Sequence, residues 1–416
     1  MKKIAYSLLL PLSFFAVLND QGHSSYRPRI DPEIEPVVIS RVVEADALTT
    51  SATGGLAAVA KALDPSPPVV KLPAIASLLK EEVPLRQISE KSLQQKSLRI
   101  LSIDGGGIRG IIPLMFLAKL EEQTGKRSTE MFDVIAGTST GGMIAMALSL
   151  APAKDILALY LTHGNSLFGP LNIFYGLVGP KYPFDKRAQF FKQFFGEQKL
   201  SQAAVPTIVT AWNLGGDEAY HLYSKWPTDN IFGHDNLDMT MSDAALATSA
   251  APTYFAPATV QPLSVNGQSS KQTYTFLDGG MFANDPANIA LNYAMTLYPN
   301  VERANIDLLS LGTGFSPVKY NTRRAKYWGA VSWLEPFLDI FPNGDSTSID
   351  DDLKGLLDDR YDRVTTQLVF AKSQLDAVGK NLAALQKDGN TMLVQNAAVL
   401  NRWAALVSAQ NVQNAA

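Results

Sequence analysis

Phe132-Asp133-Val134-Ile135-Ala136 runs into Gly137-Thr138-Ser139-Thr140-Gly141, and Gly142-Met143-Ile144-Ala145-Met146-Ala147-Leu148 follows. The short apolar run reads as a buried strand, and the small-residue segment after it as a helix able to pack tightly on a sheet. Between them, G-x-S-x-G sets a serine on a sharp strand-to-helix turn. Glycines two before and two after it are needed because side chains there would collide with neighbouring backbone. The strained turn lifts the hydroxyl to the helix N-terminus, whose dipole favours a nascent alkoxide. A structural serine in a chance match is the alternative; the flanking strand and helix favour a nucleophile.

Upstream, Leu98-Arg99-Ile100-Leu101-Ser102-Ile103 predicts another buried strand of a parallel sheet. It stops at Asp104-Gly105-Gly106-Gly107-Ile108-Arg109-Gly110, and a helix is expected from about Ile111 with Pro113 in its first turn. Strand, glycine loop and helix N-terminus together form an anion site. Gly105, Gly107 and Gly110 fit the dinucleotide spacing G-x-G-x-x-G. That reading further needs an acid at the tip of the second strand, where this chain has Ser139. A phosphate loop of the Walker type fails because no Gly-Lys-Ser/Thr follows.

Activation of the serine is constrained by the histidine census. The chain has four histidines, His23, His163, His221 and His234. None follows His234, and the one before Ser139 lies in the N-terminal leader, so a Ser-His-Asp triad in any familiar order is blocked or badly strained. His163, His221 and His234 lack strand-tip context and read as satisfied surface or core residues. Tyr274-Thr275-Phe276-Leu277 runs into Asp278-Gly279-Gly280, followed by Met281-Phe282-Ala283-Asn284-Asp285-Pro286. This is an aspartate expected at the C-terminal tip of a parallel strand, where α/β sheets place ligands.

With these three stretches in this order, the chain resembles the patatin-like phospholipase family. The likeness also includes Ala247 to Phe255, Asn284 with Pro286, and Leu308 to Gly314, spanning roughly 98 to 320 and continuing loosely through Trp328-Gly329 and Arg360-Tyr361 to about 395. Asp285 departs from the family's more usual asparagine, expected to be minor. Ala211-Trp212-Asn213-Leu214 lacks the usual aspartate and is expected to lie away from the dyad motifs.

The resemblance implies a three-layer α/β/α sandwich with a central, mostly parallel sheet and a helical C-terminal part. It implies a Ser–Asp dyad, with Ser139 as nucleophile and Asp278 as general base. Backbone N–H groups of Gly105, Gly106 and Gly107 would form the oxyanion hole, with Arg109 fixing the loop. Gly110, Gly137, Gly141, Gly279 and Gly280 complete the motifs, and no metal or cofactor is implied. The activity implied is lipid acyl hydrolysis of phospholipase A or lysophospholipase type. A neutral-lipid lipase, general esterase or acyltransferase on the same dyad, or a silent lipid-binding or storage protein, are the alternatives.

Composition agrees with a large folded core. The 416 residues are 46% hydrophobic and 18% charged, which excludes a disordered chain. A net charge of −3 gives no electrostatic case for nucleic acid as a partner. With no cysteine, disulfides, thiolate metal sites and a Cys nucleophile are excluded.

Residues 1–22, basic at Lys2-Lys3 and then apolar from Ile4 to Leu18, read as a signal peptide without a clear cleavage site, predicting an exported protein. A cytoplasmic, membrane-associated protein is the alternative. Residues 23–95 read as a Pro-rich linker with short helical pieces, 96–345 as the catalytic domain, and 346–416 as C-terminal helices packed on it. Arg323, Arg324 and Lys326 precede an apolar stripe at Trp328, Val331, Leu334, Leu338 and Phe341. The stripe is read as packing on the core, with insertion into a peripheral membrane surface as the alternative. Phe168 to Phe195, rich in aromatic residues, is a candidate cap over the site.

Overall fold

Leu98–Ile103 forms β1, and all six residues are buried. A strand covered on both faces has no polar side, which is why its sequence is nearly unbroken apolar. The computed structural model describes residues 97–416 except 169–179, 183, 226–236, 264–271, 318–321, 328 and 416. The expected signal segment, the linker, His23, His234 and Trp328 therefore lie outside the described residues.

β1 pairs in parallel with β2 (Val134–Thr138) on one edge and β7 (Ile306–Leu311) on the other. Beyond them, β3 (Thr207–Asn213) pairs in parallel with β2, and β8 (Tyr361–Val364) with β7. Three antiparallel strands complete the eight-stranded sheet: β4 (Glu218–Tyr223), β5 (Ala258–Val260) and β6 (Tyr274–Asp278). The order is β5-β6-β3-β2-β1-β7-β8, with β4 also on β3.

The helices are α1 (Ile111–Thr124), α2 (Ser128–Met131), α3 (Thr140–Ala147), α4 (Ala153–Phe168), α5 (Phe184–Phe195) and α6 (Met241–Thr248). They continue as α7 (Ala287–Leu297), α8 (Thr322–Ala325), α9 (Ala330–Leu357), α10 (Lys380–Gln395) and α11 (Ala397–Ala415). Alternate residues of the sheet face opposite ways. Ile100, Val134, Ala136, Ile208 and Leu308 pack against α7 and against Leu353 and Leu357 of α9. Leu101, Ile103, Ile135, Val209 and Leu309 pack on the other side with Ile111, Phe116, Met143, Ile144 and Trp403. Helix, sheet and helix make three layers, as the resemblance implied.

Two local readings change. The strand ending at Asp278 is antiparallel to its neighbour β3, not parallel. Sequence patterning shows that a strand is buried but carries no direction for a strand that joins no βαβ unit. The stretch 346–416 also holds β8 besides helices, because Tyr361 and Val364 are buried beside β7. Among the described residues, no helix is long and apolar enough to cross a membrane.

Candidate active site

The serine turn is strained, and its glycines are required. Ser139 has φ 54° and ψ −118°, a region that non-glycine residues rarely occupy. A Cβ at Gly137 would stand 2.2 Å from the Gly141 carbonyl, and one at Gly141 would stand 2.1 Å from the Ile103 carbonyl oxygen. Thr248 of α6 accepts the Ser139 N–H at 2.8 Å, satisfying a donor at the N-terminus of α3.

The aspartate reaches the serine through the edge of β3. On that edge, β2 pairs with the first half of β3, ending with Thr138 opposite Thr210. β6 comes from the other direction along the same edge, ending with Asp278 opposite Ala211. The two C-terminal strand tips thus meet head-on, one residue apart on their common partner. Thr138 donates to the Ala283 carbonyl at 2.6 Å and accepts from Thr210 at 2.7 Å, fastening the junction. A Cβ at Gly279 would stand 2.1 Å from the Thr210 hydroxyl, so glycine follows the aspartate.

At this junction Ser139 Oγ donates to Asp278 Oδ2 at 2.7 Å. The other carboxylate oxygen accepts the Gly280 N–H at 2.8 Å. Asp278 is only 6% exposed. Burial pushes its pKa up to about 6, partly opposed by the Gly280 N–H, the Ser139 hydroxyl and the charge of Arg187. An ordinary aspartate is a weak base; this one is stronger and still ionised at neutral pH.

The glycine loop stands beside the serine: a Cβ at Gly105 would lie 3.4 Å from Ser139 Cβ. Its N–H groups are unequal. Gly105 N–H donates to the Asn284 carbonyl at 3.1 Å, so its expected place in the oxyanion hole is corrected: that donor is already used. Among the described residues the N–H groups of Gly106 and Gly107 have no acceptor, and the Ile108 N–H donates to Leu375 O at 2.9 Å. Arg109 donates to Gly106 O at 3.3 Å and to Gly314 O at 3.2 Å, tying the loop to the segment after β7. Thr313 adds a bond to Gly105 O at 2.7 Å.

Behind the loop sits a charge cluster that sequence reasoning missed. Arg363 of β8 donates to Asp104 at 2.8 and 2.5 Å, to Ser310 at 2.7 Å, and stands 2.9 Å from Asp285. Asp285 is fully buried, and its Oδ1 also accepts the N–H of Ala287 at the start of α7. The expectation that Asp285 is a minor departure is therefore corrected: a buried cation needs it. The stretch Ala211 to Leu214 is likewise beside the dyad in space, since Ala211 is the register partner of Asp278.

Ser139 and Asp278 line a cleft of about 400 Å³ whose walls include Gly106, Arg109, Thr313 and Phe315. His163 on α4 and His221 on β4 do not line it. Of the candidate cap, α5 is described, and it brings Arg187 to the serine's side. The side chains of the apolar stripe from Trp328 to Phe341 lie outside the described residues.

The sequence profile of the patatin-like phospholipases matches residues 101–291. Patatin-like protein 2 of Arabidopsis thaliana is 30% identical over 349 residues, covering 73% of this chain and 84% of its own. "Probable inactive patatin-3-Kuras 1" of Solanum tuberosum is 31% identical over 268 residues, covering 58% of this chain and 70% of its own. Among solved structures, VipD from Legionella pneumophila aligns with 72% of this chain and 67% of its own, at 11% identity and a TM-score of 0.37. On the strength of the sequence relatives, the chain belongs to the patatin-like phospholipase family, a family of lipid acyl hydrolases.

Proposed function

We propose that this chain is an active serine lipid acyl hydrolase of phospholipase A or lysophospholipase type, with Ser139 as nucleophile and Asp278 as its base. One relative carries "inactive" in its name, so membership alone does not assign turnover. The observation that supports turnover here is the bond from Ser139 Oγ to a buried Asp278 carboxylate at 2.7 Å.

In the first step Ser139 Oγ attacks the ester carbonyl carbon while its proton passes to Asp278. The carbonyl oxygen becomes an oxyanion, for which the unengaged N–H groups of Gly106 and Gly107 are the donors we assign. Collapse breaks the ester C–O bond, and the Asp278 proton goes to the leaving alkoxide. Water then attacks the acyl-serine, giving up a proton to Asp278. Collapse breaks the bond between the acyl carbon and Ser139 Oγ, which takes that proton back from Asp278 as the fatty acid is released. The two N–H donors are fixed by the bonds of their neighbours Gly105 and Ile108, so they need no reorganisation as charge develops.

Because Asp278 must be ionised to accept the proton, kcat/KM should rise with pH, with a midpoint of about 6, and level off above it. A rate that keeps climbing through pH 8 would assign the base to another group.

A fluorophosphonate probe followed by peptide mapping should label Ser139, and Ser139→Ala should abolish labelling. A label on another serine would remove the nucleophile. Hydrolysis of phosphatidylcholine, triacylglycerol and p-nitrophenyl esters, with and without a calcium chelator, then separates the phospholipase from the neutral lipase or general esterase. Activity on phosphatidylcholine that survives the chelator is expected; hydrolysis of triacylglycerol alone would favour the neutral-lipid reading.

A further inference from the structure

α3 and α5 face each other with matched spacing. Along α3, Ser139 at its N-cap, Met143 and Ala147 recur every fourth residue and share one face. Along α5, the buried residues Arg187, Phe191 and Phe195 do the same. Between them lies a cavity of about 30 Å³ lined by Ser139, Met143, Arg187 and Phe191 among others. A second of about 30 Å³ follows, lined by Met143, Ala147, Phe191 and Phe195 among others. Met143 and Phe191 belong to both, so the cavity beside the nucleophile and the apolar one adjoin along a single helix–helix seam.

The two ends of this seam differ in chemistry. At the far end Phe194 packs edge-on to Phe195 at 4.6 Å and stacks on Phe190 at 6.3 Å, and the unbranched Met143 side chain can re-pack around a guest. At the serine end sits Arg187, only 4% exposed. Its Nη1 donates to the Ser249 carbonyl at 2.9 Å, and its guanidinium lies 4.3 Å from the centre of the Phe255 ring. Nε and Nη2 have no partner among the described residues. These two nitrogens form one edge of the planar fork, the edge that meets a carboxylate with two parallel bonds. Leaving a buried cation unpaired on a whole edge is costly, and a ligand that completes it removes the cost.

A cationic edge followed by an apolar seam matches a fatty acid. We propose that the α3–α5 seam takes the acyl chain of the substrate and that Arg187 holds the carboxylate of the fatty acid released at Ser139. The alcohol part of the ester then leaves through the wider cleft that Ser139 also lines. This assignment rests on Ser139 being the nucleophile.

Calorimetric titration of octanoate, decanoate, dodecanoate and dodecanol into the Ser139→Ala protein tests it without turnover. Affinity for the carboxylates should rise about fourfold per added methylene, and dodecanoate should bind roughly tenfold or more tightly than dodecanol. Arg187→Met should erase the preference for carboxylate over alcohol and keep the dependence on chain length. Ala147→Leu, which fills the far end, should flatten the dependence on chain length. Equal binding of dodecanoate and dodecanol, or affinity independent of chain length, overturns the proposal on the Ser139→Ala protein alone; so does a carboxylate preference that survives Arg187→Met. If Arg187 served only to bias the charge of Asp278, its removal would raise the pH midpoint of turnover and leave fatty-acid binding unaltered, which also overturns it. Failure of the unmodified protein to take the fluorophosphonate label at Ser139 would sink the nucleophile, whereas absent fatty-acid binding sinks only the seam.

Discussion

Asp278→Asn should lower kcat/KM roughly a thousandfold, in the range that a positioned general base contributes. The amide has nearly the same shape, and one of its atoms can still accept the Gly280 N–H that Asp278 accepts at 2.8 Å. It cannot take up the proton that Ser139 must lose. The expected result is therefore a folded protein, with an unchanged thermal transition, whose hydrolysis of a p-nitrophenyl ester nearly disappears. The loss should fall on kcat more than on KM, because the carboxylate acts on the serine's proton and not on the bound acyl chain. Near-wild-type turnover in this variant would assign the base to a different residue.

Arg363→Met should cost about 3–5 kcal/mol of stability, the range found when one partner of a buried ion pair is removed. Its side chain is 11% exposed and serves both Asp104 and Asp285, whose side chains are 5% and 0% exposed. Burial already pushes Asp104 up to about 7 even with Arg363 opposing it, while Arg363, facing two carboxylates, stays charged. Without the guanidinium, Asp104 would be neutral at pH 7 and Asp285 would keep only its hydroxyl and backbone donors. Asp104 opens the glycine loop, so activity should fall along with stability. Urea denaturation measures the first effect; a change below about 1 kcal/mol would mean that the cluster does not carry the C-terminal strand. Arg363→Lys should retain part of the stability, since a single ammonium cannot reach both carboxylates in the forked geometry.

What could be read from the residues was local. β1 and the turn at Ser139 are announced within about ten residues each, by an apolar run that stops at glycines whose Cβ would strike backbone. The tip at Asp278 was legible for the same reason, and the absence of a usable histidine narrowed the search for a partner to a carboxylate. The direction of β6 was not legible, because pairing with β3 is decided by Ala211 to Asn213, over sixty residues upstream. Arg363 was invisible for a stronger reason: it lies 259 residues from Asp104, and nothing in its immediate sequence separates it from a surface arginine. The Gly105 N–H was misassigned because its acceptor, Asn284 O, is a backbone atom, and a backbone carbonyl leaves no trace in residue identity. Arg187 belongs to the same class, since its meaning comes from an unpaired edge and from lining a cavity that Ser139 also lines.

The central claim is that the Ser139 proton passes to a carboxylate with no imidazole between them. It is tested most directly by the burst of acylation of Ser139 by a p-nitrophenyl ester, followed against pH in a protein whose His163, His221 and His234 are all replaced by Gln. The account predicts a burst of the wild-type amplitude and a pH midpoint still at about 6. A burst that vanishes with the histidines, or a midpoint that moves away, would contradict it.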